Sequence, residues 1–404
     1  MKKKNLAMLL CATMVAFLSA CSNYDYNWTE SDSTKQDFPN EKNVTTRGIA
    51  KFIARIKKDV PLCKEVQTMV KNSIINGRDE AITFKEILQS DFNGTRASNC
   101  SLLKHRIQNR FSKDLTRSSP EVEEEEYEQI EEDEMMEVPE EIEDLIGSDC
   151  QIYCPYSEDW EEGEEPVIAY MPEDDEDGDV CYAYYEREDM EGCTILDSIL
   201  IDENYAQMHP VWIINKIKPL PEGSYYAVPV SSNANDSSTI ATPVINNVYC
   251  WTLTQMQVTK NYDSWLAGGS EFDFQIIFPE LAGYTCTINK FRVTFTRKEI
   301  KRKTIKNYDI ILNSNWRVEQ KTNGIIIYEG DPSTRIKEGK ITTRNDNGNI
   351  ETTFTYGNYD DFVGQTSIDR EFMLSSSNDF YSIDGGHIKL KMPVIIKLKF
   401  PTCK

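Results

Sequence analysis

Residues 271–278 read Glu-Phe-Asp-Phe-Gln-Ile-Ile-Phe. Phe272, Phe274, Ile276 and Phe278 fall on one side of an extended chain, with Glu271, Asp273 and Gln275 on the other. That period of two predicts a strand with one apolar and one polar face. Phe291, Val293 and Phe295 repeat the pattern. Downstream, residues 341–344 and 349–356 flank Asn347-Gly348, a dipeptide suited to the positive φ of tight hairpin turns. At the C-terminus Ile388, Leu390, Met392, Val394, Ile396, Leu398 and Phe400 share one face against Lys389, Lys391, Lys397 and Lys399. Pro393 marks that run as an edge strand or a bulge. Short strands without interleaved helices predict an all-β sandwich of roughly seven to nine strands over 241–404.

Upstream lies a Ser/Asn-rich linker at 231–240, and before it a small β-rich region at 148–230. There Cys150, Ile152 and Cys154 alternate with Gln151 and Tyr153, and 165–171, 180–186, 195–201 and 211–214 add further strands. The first three strands read as a meander, with the acidic loops 157–163 and 172–179 at opposite ends of the sheet. Residues 46–118 show the helical period instead. Ile49, Phe52, Ile53, Ile56 and Val60 share a face, Pro61 suits a helix first turn, and Asn76-Gly77 closes the next helix. Thr83-Phe84-Lys85-Glu86 fits a capping box, and Leu102, Leu103, Ile107 and Phe111 predict one more helix. Residues 119–147 form an acidic linker ending in a short helix between Pro139 and Gly147. The fold class is therefore α+β and multidomain: a small helical domain, an acidic linker, a small β-rich region and a sandwich.

Charge divides the chain of 404 residues sharply. Its 44 Lys+Arg and 67 Asp+Glu give a net −23, yet residues 120–191 alone carry 32 acids against Arg187. The remainder is mildly basic, at +8. Phosphate neutralisation needs clustered Lys and Arg, and against this acidity no nucleic acid is expected as a partner.

The N-terminus gives an address. Lys2, Lys3 and Lys4 precede an apolar run from Leu6 to Leu18, too short to span a bilayer and built like a signal peptide over 1–20. The run ends in Leu18-Ser19-Ala20-Cys21, a match to the bacterial lipobox, which makes Cys21 the lipidation site. Acyl chains contribute about 0.8 kcal/mol per buried methylene, so the partner is a membrane reached through that lipid. Ser22, where an Asp would resemble an inner-membrane retention signal, favours the outer membrane. Residues 21–45 read as a flexible tether. Export also bears on the eleven cysteines: without Cys11 and Cys21 nine remain, an odd number and too sparse for a disulfide scaffold.

Catalytic motifs do not emerge. HExxH, the P-loop, the dinucleotide fingerprint and G-x-S-x-G are missing, and Gly268-Gly269-Ser270 reads as a turn. Of the three histidines, His105 reads as solvated, His209 as structural, and His387 lies near Asp384 without a serine placed beside it. No cofactor is called for. Asp175, Asp177 and Asp179 are weak calcium candidates: an EF-hand register puts Tyr184 where the bidentate Glu belongs. Cys150, Cys154, Cys181 and Cys193 lack zinc-knuckle spacing, and core cysteine is the reading.

The lipobox, Gly48-Ile49-Ala50-Lys51-Phe52-Ile53-Ala54, Thr83-Phe84-Lys85-Glu86-Ile87-Leu88 and Gln151-Ile152-Tyr153-Cys154-Pro155-Tyr156-Ser157 carry a resemblance. The chain resembles uncharacterised outer-membrane lipoproteins of Bacteroidetes-type bacteria over its first half, the long Glu run being a departure. That resemblance implies no catalytic residues. The expectation is a non-enzymatic lipoprotein that binds, adheres or scaffolds through a protein or glycan ligand. The alternatives are a polymer hydrolase with its site in the β domains, or a calcium-dependent adhesin.

Overall fold

The computed structural model describes residues 44–89, 101–117, 139–160, 164–172, 180–188, 190, 194–230, 249–281, 283–331, 335–358, 360–376 and 379–396. The signal peptide, Cys21, the tether as far as residue 43, the Glu run at 120–137 and the calcium candidates Asp175, Asp177 and Asp179 lie outside the described residues.

Capping sets the first elements. Thr45 accepts from Gly48 N at 3.0 Å and opens α1 (Thr46–Ala54). Asp59 caps α2 (Val60–Ile75), with Pro61 in its first turn, and Gly77 leaves that helix at φ 78°. β1 (Ala81–Thr83) runs straight into α3 (Phe84–Leu88), where Thr83 and Glu86 form the reciprocal capping box. α4 (Ser101–Arg117), α5 (Ile142–Gly147), β2 (Cys150–Tyr153), β3 (Val167–Tyr170), β4 (Val180–Glu188), β5 (Thr194–Asp202), α6 (Glu203–Met208) and β6 (Val211–Lys216) follow.

The sheet order is β1-β2-β6-β3-β4-β5, which corrects the expected meander. β6 lies between β2 and β3, antiparallel to the first and parallel to the second. Composition explains why: Val211, Trp212, Ile213 and Ile214 form an unbroken apolar run, and all four are fully buried. A strand covered on both faces belongs mid-sheet. The helical stretch and the β-rich stretch, separate in the sequence reading, share one core. Ile49, Phe52, Val66 and Leu103 pack with Ile152, Ile168 and Trp212.

The second lobe comprises β7 (Tyr249–Val258), β8 (Ser270–Pro279), β9 (Cys286–Phe295), α7 (Arg297–Lys301), β10 (Ile305–Trp316), β11 (Gln320–Glu329), β12 (Ile336–Asn345), β13 (Gly348–Gly357), β14 (Asp361–Asp369), α8 (Arg370–Ser376), β15 (Phe380–Ile383), β16 (Ile388–Lys391) and β17 (Val394–Ile396). One sheet runs β10-β7-β16-β15 with β17 also on β7; the other runs β13-β12-β11-β8-β9 with β14 also on β11. Phe272, Phe274, Phe291 and Phe295 meet Trp251, Leu253, Trp316 and Leu390 between them. Among the described residues eleven strands form this β-rich lobe, above the seven to nine expected, partly because the C-terminal run breaks at Pro393 into β16 and β17. The expected hairpin is present with its turn one residue earlier: Asn345 pairs with Gly348, leaving Asp346-Asn347 as the loop.

β8 differs from its sequence pattern in one respect. Asp273 and Gln275, on its polar face, are buried too. The β12–β13 hairpin lies across that face, with Ile277, Ile326, Tyr328, Ile341 and Phe354 forming a small second core. Close approach depends on glycines. A Cβ on Gly339 would meet the Phe354 ring at 2.3 Å, since the ring lies over its cross-strand partner's backbone. Gly339→Ala should therefore cost about 1–3 kcal/mol in urea unfolding. A change within a few tenths of wild type would mean that the ring does not seal the hairpin.

Candidate functional site

The two lobes meet along a polar seam, and Lys218 stands at its centre. Its side chain is 5% exposed, and its ammonium contacts four carboxylates of the sandwich lobe. Nζ donates to Asp263 Oδ1 and, at 3.0 Å, to Glu329 Oε1; Glu271 Oε2 lies at 3.0 Å and Asp331 Oδ1 at 3.4 Å. Three of these acids come from predictable places. Glu271 begins β8, Glu329 ends β11, and Asp331 follows it. Glu329 Oε1 also accepts from Glu271 N at 3.1 Å, which fixes its rotamer between the two strands.

Charge in this cage does not balance by formal count. Burial alone would lower the Lys218 pKa, but the surrounding carboxylates outweigh it and hold the group well above its ordinary value. Burial pushes Asp263 up to about 7 against the opposing pull of Lys218. Burial and the neighbouring Asp263 drive Glu329 well above the carboxylate range. Asp263 Oδ2 and Glu329 Oε2 have no donor among the described residues, an arrangement that favours the protonated form of a buried carboxyl.

The oxygens of Asp263, Glu329 and Asp331 lie within 4.8 Å of one another, a hard donor set that suits a divalent cation. Lys218 already sits against all three. The ammonium thus takes the place a metal ion would take. The backbone beneath it is clamped by Arg292, which donates to the carbonyls of Lys218 and Pro219, both at 3.0 Å. The same guanidinium binds Asp273 through two parallel bonds of 2.9 and 2.6 Å.

Flanking contacts extend the seam. Trp265 and Leu266 insert from the sandwich lobe into the core of the first lobe, among Tyr153, Ala169 and Ile213. Asn215 Nδ2 donates to the carbonyls of Leu266 and Ala267 at 3.0 and 2.9 Å. Gly269 N donates to Asp79 Oδ2 at 2.9 Å, and a Cβ on Gly269 would meet Phe295 O at 2.3 Å. That turn is the Gly268-Gly269-Ser270 stretch, and close approach explains its glycines. On α7, Arg297 reaches Glu203 at 2.7 Å, and Lys298 reaches Glu158 and Asp159, both at 2.8 Å. Burial raises Asp79 to about 7 and Glu80 well above its ordinary value.

The residues singled out in the sequence lie elsewhere. His105 is exposed on α4 beside Asn109, and His209 Nδ1 is 2.6 Å from Glu164 at the end of α6. His387 Nδ1 is 3.4 Å from Thr259 Oγ1, while Asp384 accepts from Tyr262 OH at 2.6 Å. No triad is assembled from these groups. Cys150, Cys154 and Cys181 are buried, as core cysteines should be. Sequence reasoning missed Lys218 altogether, because Lys216-Ile217-Lys218-Pro219 reads as an ordinary exposed connection.

No family model matches this chain, nor does any curated protein or any solved structure.

Two outcomes test the seam. Asp79 and Asp263 keep their protons to about pH 7 when folded but would release them near pH 4 when unfolded. The folded state therefore binds more protons between these values, and their contribution to stability falls as pH rises. Thermal unfolding should show a lower Tm at about pH 8 than at about pH 5, and Asp79→Asn should flatten the decline. A Tm that rises over this range would contradict the burial of these acids. Separately, Lys218→Met leaves four carboxylates without their cation and should cost about 3–5 kcal/mol at neutral pH. The deficit should shrink on acidification; wild-type stability at neutral pH would rule out a closed cage.

Proposed function

We propose that the chain is a lipid-anchored protein of the bacterial outer membrane whose role is binding rather than catalysis. One observation carries this reading. The carboxylates and the lysine pushed furthest from their ordinary values, Asp79, Glu80, Asp263, Glu329 and Lys218, are sealed inside the seam and held by one another or by backbone. Perturbed groups of an active site face a cleft where substrate can reach them. Here large apolar side chains face the solvent instead, including Val180, Tyr182 and Leu200 on the β4–β5 hairpin. Exposed apolar clusters of this kind serve contact with another molecule.

The lipobox supports the anchor, and no helix among the described residues is long and apolar enough to cross a membrane. Lipid on Cys21 then accounts for membrane attachment, with the ligand taken up by the protein surface. Cys21→Ala should move the protein from the membrane fraction to the soluble one. A mutant still sedimenting with outer membranes after a carbonate or high-salt wash would remove the lipid-anchor reading.

A further inference from the structure

We propose that the outer edge of β5 is a β-addition site for an extended cationic peptide segment that alternates Lys or Arg with apolar residues. The inference rests on the binding reading above and names the partner's chemistry. β5 (Thr194–Asp202) is nine residues long and ends the sheet order, and among the described residues its ladder partner is β4 alone. An edge of that length offers N–H and C=O groups at alternate positions, a template for one more strand. Edge strands are commonly blunted by lysine, proline or bulges. The sequence Thr-Ile-Leu-Asp-Ser-Ile-Leu-Ile-Asp has neither residue, and its register with β4 runs unbroken from Thr194 to Asp202.

Beside the edge lies an apolar row. Tyr182 stands directly opposite Leu200 in the ladder, with Val180 two positions along the same face of β4. The three side chains are 55%, 59% and 51% exposed. Their neighbour Tyr184 is covered by α1, through Arg47 and Lys51. The helix thus shields one end of this face and leaves the other open. A strand laid along β5 would place every second side chain beside Leu200 and extend the row.

Charge decides the occupant. Residues 172–202 hold twelve acids and a lone base, Arg187, which pairs with Asp197 on the hairpin itself. The described residues of the hairpin hold Glu186, Glu188, Asp197 and Asp202 against Arg187, so a second copy would bring like charge against like charge at both ends of β5. A segment with cations on its outward positions would instead meet opposite charge at both ends of β5. Its apolar positions would cover Leu200 and Tyr182.

The full chain should be titrated with a synthetic peptide of alternating Lys and Val, Leu or Ile, and with a second peptide of the same composition whose lysines form one block. Binding of the alternating peptide, weakened by salt, is expected, with the block peptide binding at least about tenfold more weakly, a difference of about 1.4 kcal/mol. Ser198→Pro removes an amide that bonds the Asp197 carboxylate at 2.8 Å, and it should abolish binding while the Tm stays near that of wild type. Leu200→Lys, which keeps the backbone intact, should weaken binding to a similar degree and covers the case in which proline perturbs the hairpin. Equal binding of both peptides would reduce the effect to charge attraction and overturn the site. Unchanged affinity in Leu200→Lys, or no binding by wild type, would overturn it as well. If either occurs while Cys21→Ala still releases the protein from membranes, the anchored binding reading stands and only the β5 site falls.

Discussion

A single buried ammonium governs how this molecule is put together. Lys218 leaves the end of β6 and enters a cage built from β8, β11 and the turn before β8, so the connection between the lobes is also their lock. Arg292 holds the same two residues by their carbonyls, and the chain then runs beside β9, with Arg292 N donating to Tyr225 O and Ala227 N donating to Arg292 O. The net stability of such a buried ion group is small, because desolvation offsets most of its attraction. Affinity between the lobes comes from elsewhere. Burying an aromatic of about 150–250 Å² at ~25 cal/mol per Å² gives Trp265 alone about 4–6 kcal/mol. The cage contributes orientation: any other docking would strand four acids and a lysine without partners.

That division of labour explains what could be read from the sequence. Helices, caps and strands follow from contacts within a few residues, and Thr83 with Glu86 or Asp346 with Asn347 needs nothing distant to form its turn. The alternation at Phe272, Phe274 and Ile276 identified both a strand and its core face. It could not reveal that Asp273 and Gln275 are buried as well. Their partners, Arg292 and Tyr328, lie 19 and 53 residues further on, and only the folded sheet brings them together. Lys218 is the extreme case, since a lysine in a polar connection carries no local mark of burial. The unbroken apolar run from Val211 to Ile214 did carry a mark. A strand with no polar side belongs at the centre of a sheet, which is incompatible with a simple meander.

The excess of acids within the seam has a physical limit that protons relieve. Asp79, Glu80, Asp263 and Glu329 are all pushed upward by burial, so part of the formal charge in this region is absent in the folded state. The resulting interior is polar, and His105 and His209 lie outside it at surface positions with their own partners. A buried ionic seam of this kind serves geometry.

On the exterior, sheet and acidity are linked. The first-lobe sheet is covered on one face by α1 to α5 and on the other by Trp265 and Leu266 with α6. Most of both faces is thereby satisfied; the open end of the face at Val180, Tyr182 and Leu200 and the long edge of β5 remain. A flat, apolar edge usually invites pairing with another copy and then aggregation. Here the hairpin carries Glu186, Glu188, Asp197 and Asp202 against Arg187, so approach of a second copy is opposed over a distance of about 8–10 Å at ordinary ionic strength. Like charge opposes self-association, and among the backbone groups of β5 the Ser198 amide is held by the Asp197 carboxylate at 2.8 Å, a bond an incoming strand displaces. Lysine or proline within the strand would have closed the edge to every partner. Acids placed around it close it to like-charged chains and leave it open to cationic ones.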